Sequence, residues 1–172
     1  MKQQIAIFGS AFNPPTIGHL SVINHLLHFD KILIVPSIAH AWGKQMLDFQ
    51  LRCSLVETFI SDIASSKVEA CFDEEQLLGE NKAVTTYMLL SHLQNINPDA
   101  ELTFVIGPDN LLNFSKFSQA EEIVKKWKVL ACPETVQVRS STVREAIKNQ
   151  QSIDSMLTKS VAKKIIQSHC YQ

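Results

Sequence analysis

Two side chains near the start of the chain, Thr16 and His19, are spaced to act on one small anion. A hydroxyl and an imidazole three residues apart at the start of a helix lie on the same side of it. The first N–H groups of that helix, at the positive end of its dipole, attract phosphate. Gly9 and Gly18 can let a ligand approach backbone that a Cβ would block. These features predict a phosphate site between the first strand and the first helix.

A second polar cluster, Arg139-Ser140-Ser141-Thr142-Val143-Arg144, opens a helix late in the chain. Its hydroxyls and backbone N–H groups can hold a polyphosphate, and Arg144 can bind one through two parallel hydrogen bonds. A structural interpretation is also open, because Thr142 and Glu145 have the spacing of a capping box, which needs no ligand. A capping box leaves Arg139 and Arg144 unexplained.

A third candidate, Asp109, follows Gly107 just past an apolar run. A carboxylate beyond a strand's carboxyl end can hydrogen-bond to a ribose or to the edge of a base. The sequence Gly-Pro-Asp-Asn is equally a good turn, and Asp109 is a good helix cap. Both interpretations of Asp109 stand at this stage.

Strand and helix patterns alternate along the chain and must position these residues. Apolar runs predict strands at 5–8, 31–36, 68–72, 102–106 and 129–132. A stripe of Leu20, Ile23 and Leu27 predicts the first helix, and an N-cap at Asp48 predicts the start of the second. Two more helices are predicted near 83–95 and 121–126. Two further helices are predicted toward the end of the chain, and the apolar stripe of the last one includes Ile166. This alternation predicts one Rossmann-like, three-layer α/β domain over residues 1–172, with a mostly parallel five-stranded sheet.

Composition excludes several classes of protein. The 172 residues are 45% hydrophobic with a formal net charge of -1, so no general field favours nucleic acid. No apolar run approaches the roughly 18 residues that span a bilayer. The four cysteines lack metal-binding spacing, which predicts reduced thiols in a cytoplasmic protein and no protein-bound metal. The acidic stretch at 73–82, with Glu74, Glu75 and Glu80, is interpreted as a solvated loop.

The three motifs also carry a resemblance to a known family. G-S-x-F-N-P-P-T-x-G-H at 9–19, I-G-x-D at 106–109 and R-S-S-T-V-R at 139–144 resemble signatures of the nicotinate and nicotinamide mononucleotide adenylyltransferases, within the nucleotidylyltransferase superfamily. The resemblance implies transfer of AMP from ATP to the 5′-phosphate of a pyridine mononucleotide, in NAD biosynthesis. It implies that Mg²⁺ arrives with ATP. Pantetheine-phosphate adenylyltransferases share T-x-G-H, and a nucleotide-binding regulator without turnover is a further alternative.

The resemblance assigns roles to individual residues. The catalytic set would be Thr16, His19, Lys44 and Arg144. Contacts with ATP would come from Gly9, Ser10, Phe12, Gly18, His19, Gly107, Asp109, Ser140, Ser141, Thr142 and Arg144. The acceptor would meet Trp42, Lys44, Thr85 and Phe117.

The acceptor side leaves two questions open. Phe117 falls where many family members have a tryptophan that stacks on the pyridine, and Trp42 is either a replacement for that stack or a cap on the core. Nicotinate and nicotinamide acceptors are equally compatible with the motifs. His19 is expected to be an exposed side chain that contributes little to folding.

Overall fold

A parallel sheet runs through the centre of the computed structural model, which describes residues 1–39 and 43–172. Its five strands, in the order β3-β2-β1-β4-β5, are β1 (Gln4–Ser10), β2 (Lys31–Pro36), β3 (Val68–Ala70), β4 (Glu101–Ile106) and β5 (Lys128–Ala131). The helices are α1 (Ile17–Asn24), α2 (Phe49–Ser61), α3 (Glu74–Leu78), α4 (Thr86–Ile96), α5 (Pro108–Leu112), α6 (Ala120–Lys126), α7 (Ser140–Lys148) and α8 (Lys159–Ser168), with a 3₁₀ turn at Phe114–Lys116.

The central strand is β1, which pairs in parallel with β2 on one side and with β4 on the other. Its residues Ile5, Ala6 and Ile7 are fully buried, as a continuous apolar run in a parallel sheet predicts. The chain builds β2 and β3 on one side of β1 and then crosses to build β4 and β5 on the other. The order therefore reverses beside β1, where open α/β sheets bind ligands at the carboxyl ends of their strands.

The sheet separates two apolar cores, because successive side chains of a strand point to opposite faces. On one face, Phe8 and Ile34 pack with side chains of α1, α2, α7 and α8. On the other face, Ile7 and Leu33 pack with α4 and α6. The predicted three-layer α/β fold with a parallel five-stranded sheet is confirmed.

The first two long helices differ in how well their sequence patterns locate them. Asp48 caps α2 as predicted, because its carboxylate accepts hydrogen bonds from the N–H groups of Gln50 (3.0 Å) and Leu51 (3.3 Å). The placement of Leu27 on the buried face of α1 is wrong. That helix ends at Asn24, so Leu26 is fully buried and Leu27 is 40% exposed.

The acidic stretch at 73–82 is not the solvated loop predicted from its sequence. It contains α3, and Glu74 is only 6% exposed. Its carboxylate accepts a hydrogen bond from the N–H of Ile38 at 2.9 Å, which replaces the water lost on burial. Glu75 and Glu80 are exposed, as expected.

Other predicted boundaries also need correction. The third strand ends at Ala70, before the predicted limit at Phe72. Ile166 faces outward from α8 and is 57% exposed, so the apolar face of that helix is narrower than predicted. Across residues 1–39 and 43–172, no helix is both long enough and apolar enough to cross a membrane.

Candidate active site

The predicted phosphate turn is held together by a reciprocal cap at the start of α1. Thr16 is the N-cap, and its hydroxyl oxygen accepts from the N–H groups of Gly18 (3.1 Å) and His19 (3.4 Å). In return, the N–H of Thr16 donates to Nδ1 of His19 at 3.0 Å. Three N–H groups at the helix start are satisfied, and the imidazole is fixed there.

This cap sets the tautomer of His19. Because Nδ1 accepts a backbone hydrogen bond, the ring proton is on Nε2, which lies 3.2 Å from Oγ of Ser10 and donates to it. Burial lowers the pKa of His19 from 6.5 to about 4, so the ring is neutral near pH 7. The side chain is half-buried, contrary to the expected exposure. Its chemistry is that of one oriented neutral N–H donor.

Thr16 does not present its hydroxyl to an anion as the sequence predicts. The residue is fully buried, and its O–H donates to the carbonyl oxygen of Val138 at 2.9 Å. Both hydrogen-bonding functions of the hydroxyl are therefore taken up within the protein. The shared anion site of Thr16 and His19 reduces to His19 alone.

Gly18 and Phe12 of the turn pack against other parts of the protein, whereas Gly9 has room beside its backbone. A Cβ on Gly18 would lie 2.4 Å from the carbonyl oxygen of Val138, so Gly18 makes room for protein backbone. A Cβ on Gly9 would meet its nearest neighbour, a carbonyl oxygen of Val35, at an ordinary 3.8 Å. Phe12 is fully buried, with its ring centroid 4.7 Å from that of His19. Its side chain packs against the imidazole, so a contact of Phe12 with ATP has to come from its backbone and stays a prediction.

The late polar cluster docks directly on the turn. Oγ of Ser140 donates to the carbonyl of Pro14 at 2.7 Å, and Nη1 of Arg144 donates to the carbonyl of Asn13 at 2.8 Å. These bonds bring the start of α7 against the start of α1, so the two candidate phosphate-binding segments are neighbours in the structure. Arg144 retains further N–H donors for a ligand.

The capping box predicted for Thr142 and Glu145 is wrong. The N-cap of α7 is Arg139, and no side chain caps this end of the helix. Thr142 is instead the third residue of α7, and both Ser141 and Thr142 are exposed. The first N–H groups of α7 therefore remain available to an anion.

A cleft of about 110 Å³ joins the two helix starts to the end of β4. Gly107 is the N-cap of α5 and Asp109 lies in its first turn, so Asp109 is neither a cap nor part of a simple turn. Its carboxylate pairs with Arg139 at 2.9 Å across the mouth of the cleft, and both side chains are more than 60% exposed. The cleft is lined by Thr16, His19, Asp109, Glu134, Val138, Arg139 and Ser140.

The predicted acceptor residues are more scattered. Thr85 is the N-cap of α4, and its hydroxyl accepts from the N–H of Met88 at 3.2 Å. Phe117 packs on Phe114, with ring centroids 5.1 Å apart, so part of its surface is used by the core. Lys44 is exposed, and Trp42 lies outside the described residues.

Sequence reasoning missed the most buried charged side chain of this region. Arg52 is 1% exposed, and its guanidinium donates to carbonyl oxygens of several segments. A signal was present, since Arg52 precedes Val56 and Phe59 by four and seven residues on the buried face of α2. Within residues 1–39 and 43–172, no group of three His, Cys, Asp or Glu side chains is placed to hold a metal ion.

Comparisons with known proteins agree with this geometry. The sequence model of the cytidylyltransferase-like family matches residues 7–155. A protein of Streptococcus pyogenes serotype M1, named as a candidate nicotinate-nucleotide adenylyltransferase, is 27% identical over 99% of this chain and 90% of its own length. A crystal structure of a candidate nicotinate-nucleotide adenylyltransferase from Vibrio parahaemolyticus is 46% identical, with a TM-score of 0.89 over 98% of this chain and 95% of that one.

A third comparison extends the fold alone. The Plasmodium falciparum nicotinic acid mononucleotide adenylyltransferase complexed with NaAD superposes with a TM-score of 0.79 over 98% of this chain and 97% of that one. Its sequence is 18% identical to this one.

Proposed function

Because the chain belongs to the cytidylyltransferase-like family, we propose that it transfers AMP from ATP to the 5′-phosphate of nicotinate mononucleotide. The products are the dinucleotide and pyrophosphate. The names of the two relatives that share 27% and 46% of their sequence with it favour the nicotinate acceptor. The observation that carries the proposal is the joint phosphate site, in which His19 and the uncapped start of α7 are held together by the bonds of Ser140 and Arg144 to the turn.

The chemistry places few demands on the protein. An oxygen of the acceptor phosphate attacks the α-phosphorus of ATP, a new P–O bond forms, and the bond from that phosphorus to the bridging oxygen of pyrophosphate breaks. The acceptor phosphate is already a dianion near neutral pH, so no general base has to remove a proton. Alignment of the two phosphates can supply up to about 7 to 11 kcal/mol of the barrier reduction.

The protein groups act as donors to the charge that develops on the phosphates. In this proposal Nε2–H of His19 exchanges its bond to Oγ of Ser10 for one to a phosphate oxygen. It donates without its own charge, since the pKa of the ring is about 4. Arg144 and the first N–H groups of α7 stabilise the polyphosphate, and Lys44 approaches the reacting groups from the acceptor side. Asp109 can bond to the nucleoside once Arg139 releases it. Each such donor contributes a few kcal/mol if it behaves as an oxyanion-hole donor does.

Mg²⁺ is part of the substrate in this proposal and enters as MgATP. It is expected to stay with the phosphates, because Mg²⁺ keeps several waters and is bound largely through substrate oxygens. We place the reaction in the cytoplasm. The four buried free cysteines support this placement, because a reducing compartment keeps such thiols unpaired.

Pyrophosphate release tests the function. The protein is incubated with MgATP and, separately, nicotinate mononucleotide, nicotinamide mononucleotide and 4′-phosphopantetheine. We expect the highest kcat/KM with nicotinate mononucleotide and loss of turnover when EDTA removes Mg²⁺. Turnover only with 4′-phosphopantetheine would replace the acceptor, and ATP binding without turnover on either pyridine mononucleotide would favour a regulator.

A further inference from the structure

The buried guanidinium of Arg52 lies beside the candidate active site and takes no part in the phosphate chemistry described above. Nε donates to the carbonyl of Leu47 at 2.8 Å, and Nη1 donates to the carbonyls of Ala11 (2.8 Å) and Ser37 (2.7 Å). Nη2 reaches the carbonyl of Ile38 at 3.3 Å. One side chain therefore satisfies carbonyl groups from three separate segments of backbone.

The positions of these carbonyls define what Arg52 holds. The described residues between β2 and the cap of α2, 37–39 and 43–47, include Lys44 and are here named the acceptor loop. Ser37 and Leu47 are the first and last of them. Ala11 belongs to the phosphate turn. Arg52 thus ties both ends of the acceptor loop to each other and to the turn that carries His19.

Glu74 completes this arrangement from the other side. Its carboxylate accepts from the N–H of Ile38, whose carbonyl accepts from Arg52, so both backbone groups of Ile38 are held by buried charges. Arg52 faces Glu74 from α2, and the thiol of Cys71 lies close to it at the end of β3. Burial raises the pKa of Glu74 to about 7, against the opposing effects of the Ile38 N–H and Arg52. Burial also raises the pKa of Cys71 to about 11, so this thiol does not titrate between pH 6 and 8.

A further bond connects the same loop to the ATP side. The side-chain oxygen of Asn13 accepts from the N–H of Leu47 at 3.2 Å, and its backbone carbonyl accepts from Arg144. Asn13 thus bridges Arg144 and Leu47, the last residue of the acceptor loop. The two halves of the site share a framework. Three of the four carbonyls that accept from Arg52 belong to the acceptor loop, and the fourth, that of Ala11, belongs to the phosphate turn.

We propose that Arg52 and Glu74 are positioning residues for the acceptor, which set the affinity for the pyridine mononucleotide by fixing the two ends of the acceptor loop. The proposal rests on the proposed function, because it takes the loop to be the part that meets the acceptor. Neither side chain touches a reacting atom. Loss of their contacts loosens the loop that carries Lys44. The cleft at α1 and α7 keeps the bonds of Ser140 and Arg144 to the phosphate turn, which do not involve Arg52.

The test separates the KM of the acceptor from that of ATP. Arg52→Lys keeps the positive charge but cannot reach carbonyls of three segments at once. Loss of one charged hydrogen bond predicts a rise of about tenfold or more in the KM for nicotinate mononucleotide, with the KM for ATP within about twofold. Glu80→Gln, at an exposed position, is the control and changes neither. Equal changes in both KM values would overturn the proposal.

Glu74→Gln gives a second test that does not depend on the stability of the Arg52 variant. Glutamine keeps an acceptor for the Ile38 N–H but has no charge at any pH. The ratio of the acceptor KM of the variant to that of the wild type should be well above 1 at pH 8, where Glu74 is ionised, and close to 1 at pH 6. The ratio cancels the titration of the acceptor phosphate itself. A ratio that is the same at both pH values would overturn the assignment to Glu74.

The outcomes distinguish this inference from the proposed function. If the wild type releases no pyrophosphate with any pyridine mononucleotide, the proposed function fails and takes the inference with it. If the wild type turns over and Arg52→Lys remains folded by circular dichroism at the assay temperature, unchanged acceptor kinetics defeat the inference alone.

Discussion

Replacement of His19 should affect catalysis and stability by separate routes, which the structure makes distinguishable. His19→Ala removes the Nε2–H donor, and by analogy with loss of one oxyanion-hole donor it should lower kcat by roughly 10² to 10³. It also removes the acceptor of the Thr16 N–H and the ring that packs on Phe12. Loss of the hydrogen bond from the Thr16 N–H costs about 0.5 to 1.5 kcal/mol, and loss of the aromatic contact costs about 0.5 to 1.5 kcal/mol.

The loss of stability in His19→Ala should lower the melting temperature by a measurable amount. A total of about 1 to 3 kcal/mol corresponds to a Tm decrease of roughly 3 to 10 °C for a chain of this size. This expectation reverses the one from sequence, which placed His19 on the surface with no effect on folding. Thermal unfolding and steady-state kinetics on the same preparation measure both quantities.

His19→Asn separates the two routes. Its side-chain oxygen occupies the place of Nδ1 and can accept from the Thr16 N–H, while the Nε2–H donor is absent. We expect the full loss of kcat with a smaller decrease in Tm than in His19→Ala. Turnover of His19→Asn within about threefold of the wild type would refute the role of Nε2–H as a donor to phosphate.

The lowered pKa of His19 also predicts a pH dependence of stability. The ring has a pKa of about 4 in the folded protein and 6.5 as its ordinary value, so the unfolded chain binds more protons between these limits. The free energy of unfolding should therefore fall as the pH is lowered from 6.5 to 4, and its contribution should be fully present above that window. Urea unfolding at pH 4.5 and pH 7 should show a smaller difference for His19→Asn than for the wild type.

Two further changes test the surroundings of the site. Arg144→Ala should weaken binding of ATP or of the transition state by about tenfold or more, because it removes a charged hydrogen-bond donor. Thr142→Ala should change the free energy of unfolding by no more than about 0.5 kcal/mol, because Thr142 is not a cap. A loss of stability above about 1 kcal/mol in Thr142→Ala would restore the capping interpretation. Gly18→Ala should destabilise the protein by about 1 to 3 kcal/mol, since its Cβ would lie 2.4 Å from the carbonyl oxygen of Val138. Chemical denaturation measures the loss. Gly9→Ala is the matched control, because its Cβ would lie at an ordinary 3.8 Å from its nearest neighbour.

The sheet could be predicted from sequence because its signals are local. The run from Lys31 to Val35 is apolar and ends at Pro36, and the strand in the structure has those bounds. The two polar segments at the starts of α1 and α7 were also identified locally, but their pairing in space was not. The acceptor and the reaction were inferred from the family resemblance, because composition and periodicity carry no information about them.

The errors lie where a residue serves a distant partner. Arg52 looks like an exposed charge until the carbonyl of Ala11, 41 residues away, is seen to accept its hydrogen bond. Glu74 looks solvated for the same reason, since its partner Ile38 is 36 residues away. Thr142 fits a local capping pattern, but the helix begins earlier, at Ser140, whose hydroxyl donates to the distant carbonyl of Pro14. Long-range hydrogen bonds of this kind leave no periodic signature in the sequence.

The contacts that close the phosphate site also determine when in folding it appears. Thr16 bonds to Val138, Ser140 to Pro14 and Arg144 to Asn13 across separations of 122, 126 and 131 residues. Such high contact order means that chain closure between the two ends must precede assembly of the site. During synthesis β1, β2 and β3 leave the ribosome well before residue 144, so nucleotide affinity is acquired late. Binding of ATP therefore reports that the start of α7 has docked on the phosphate turn.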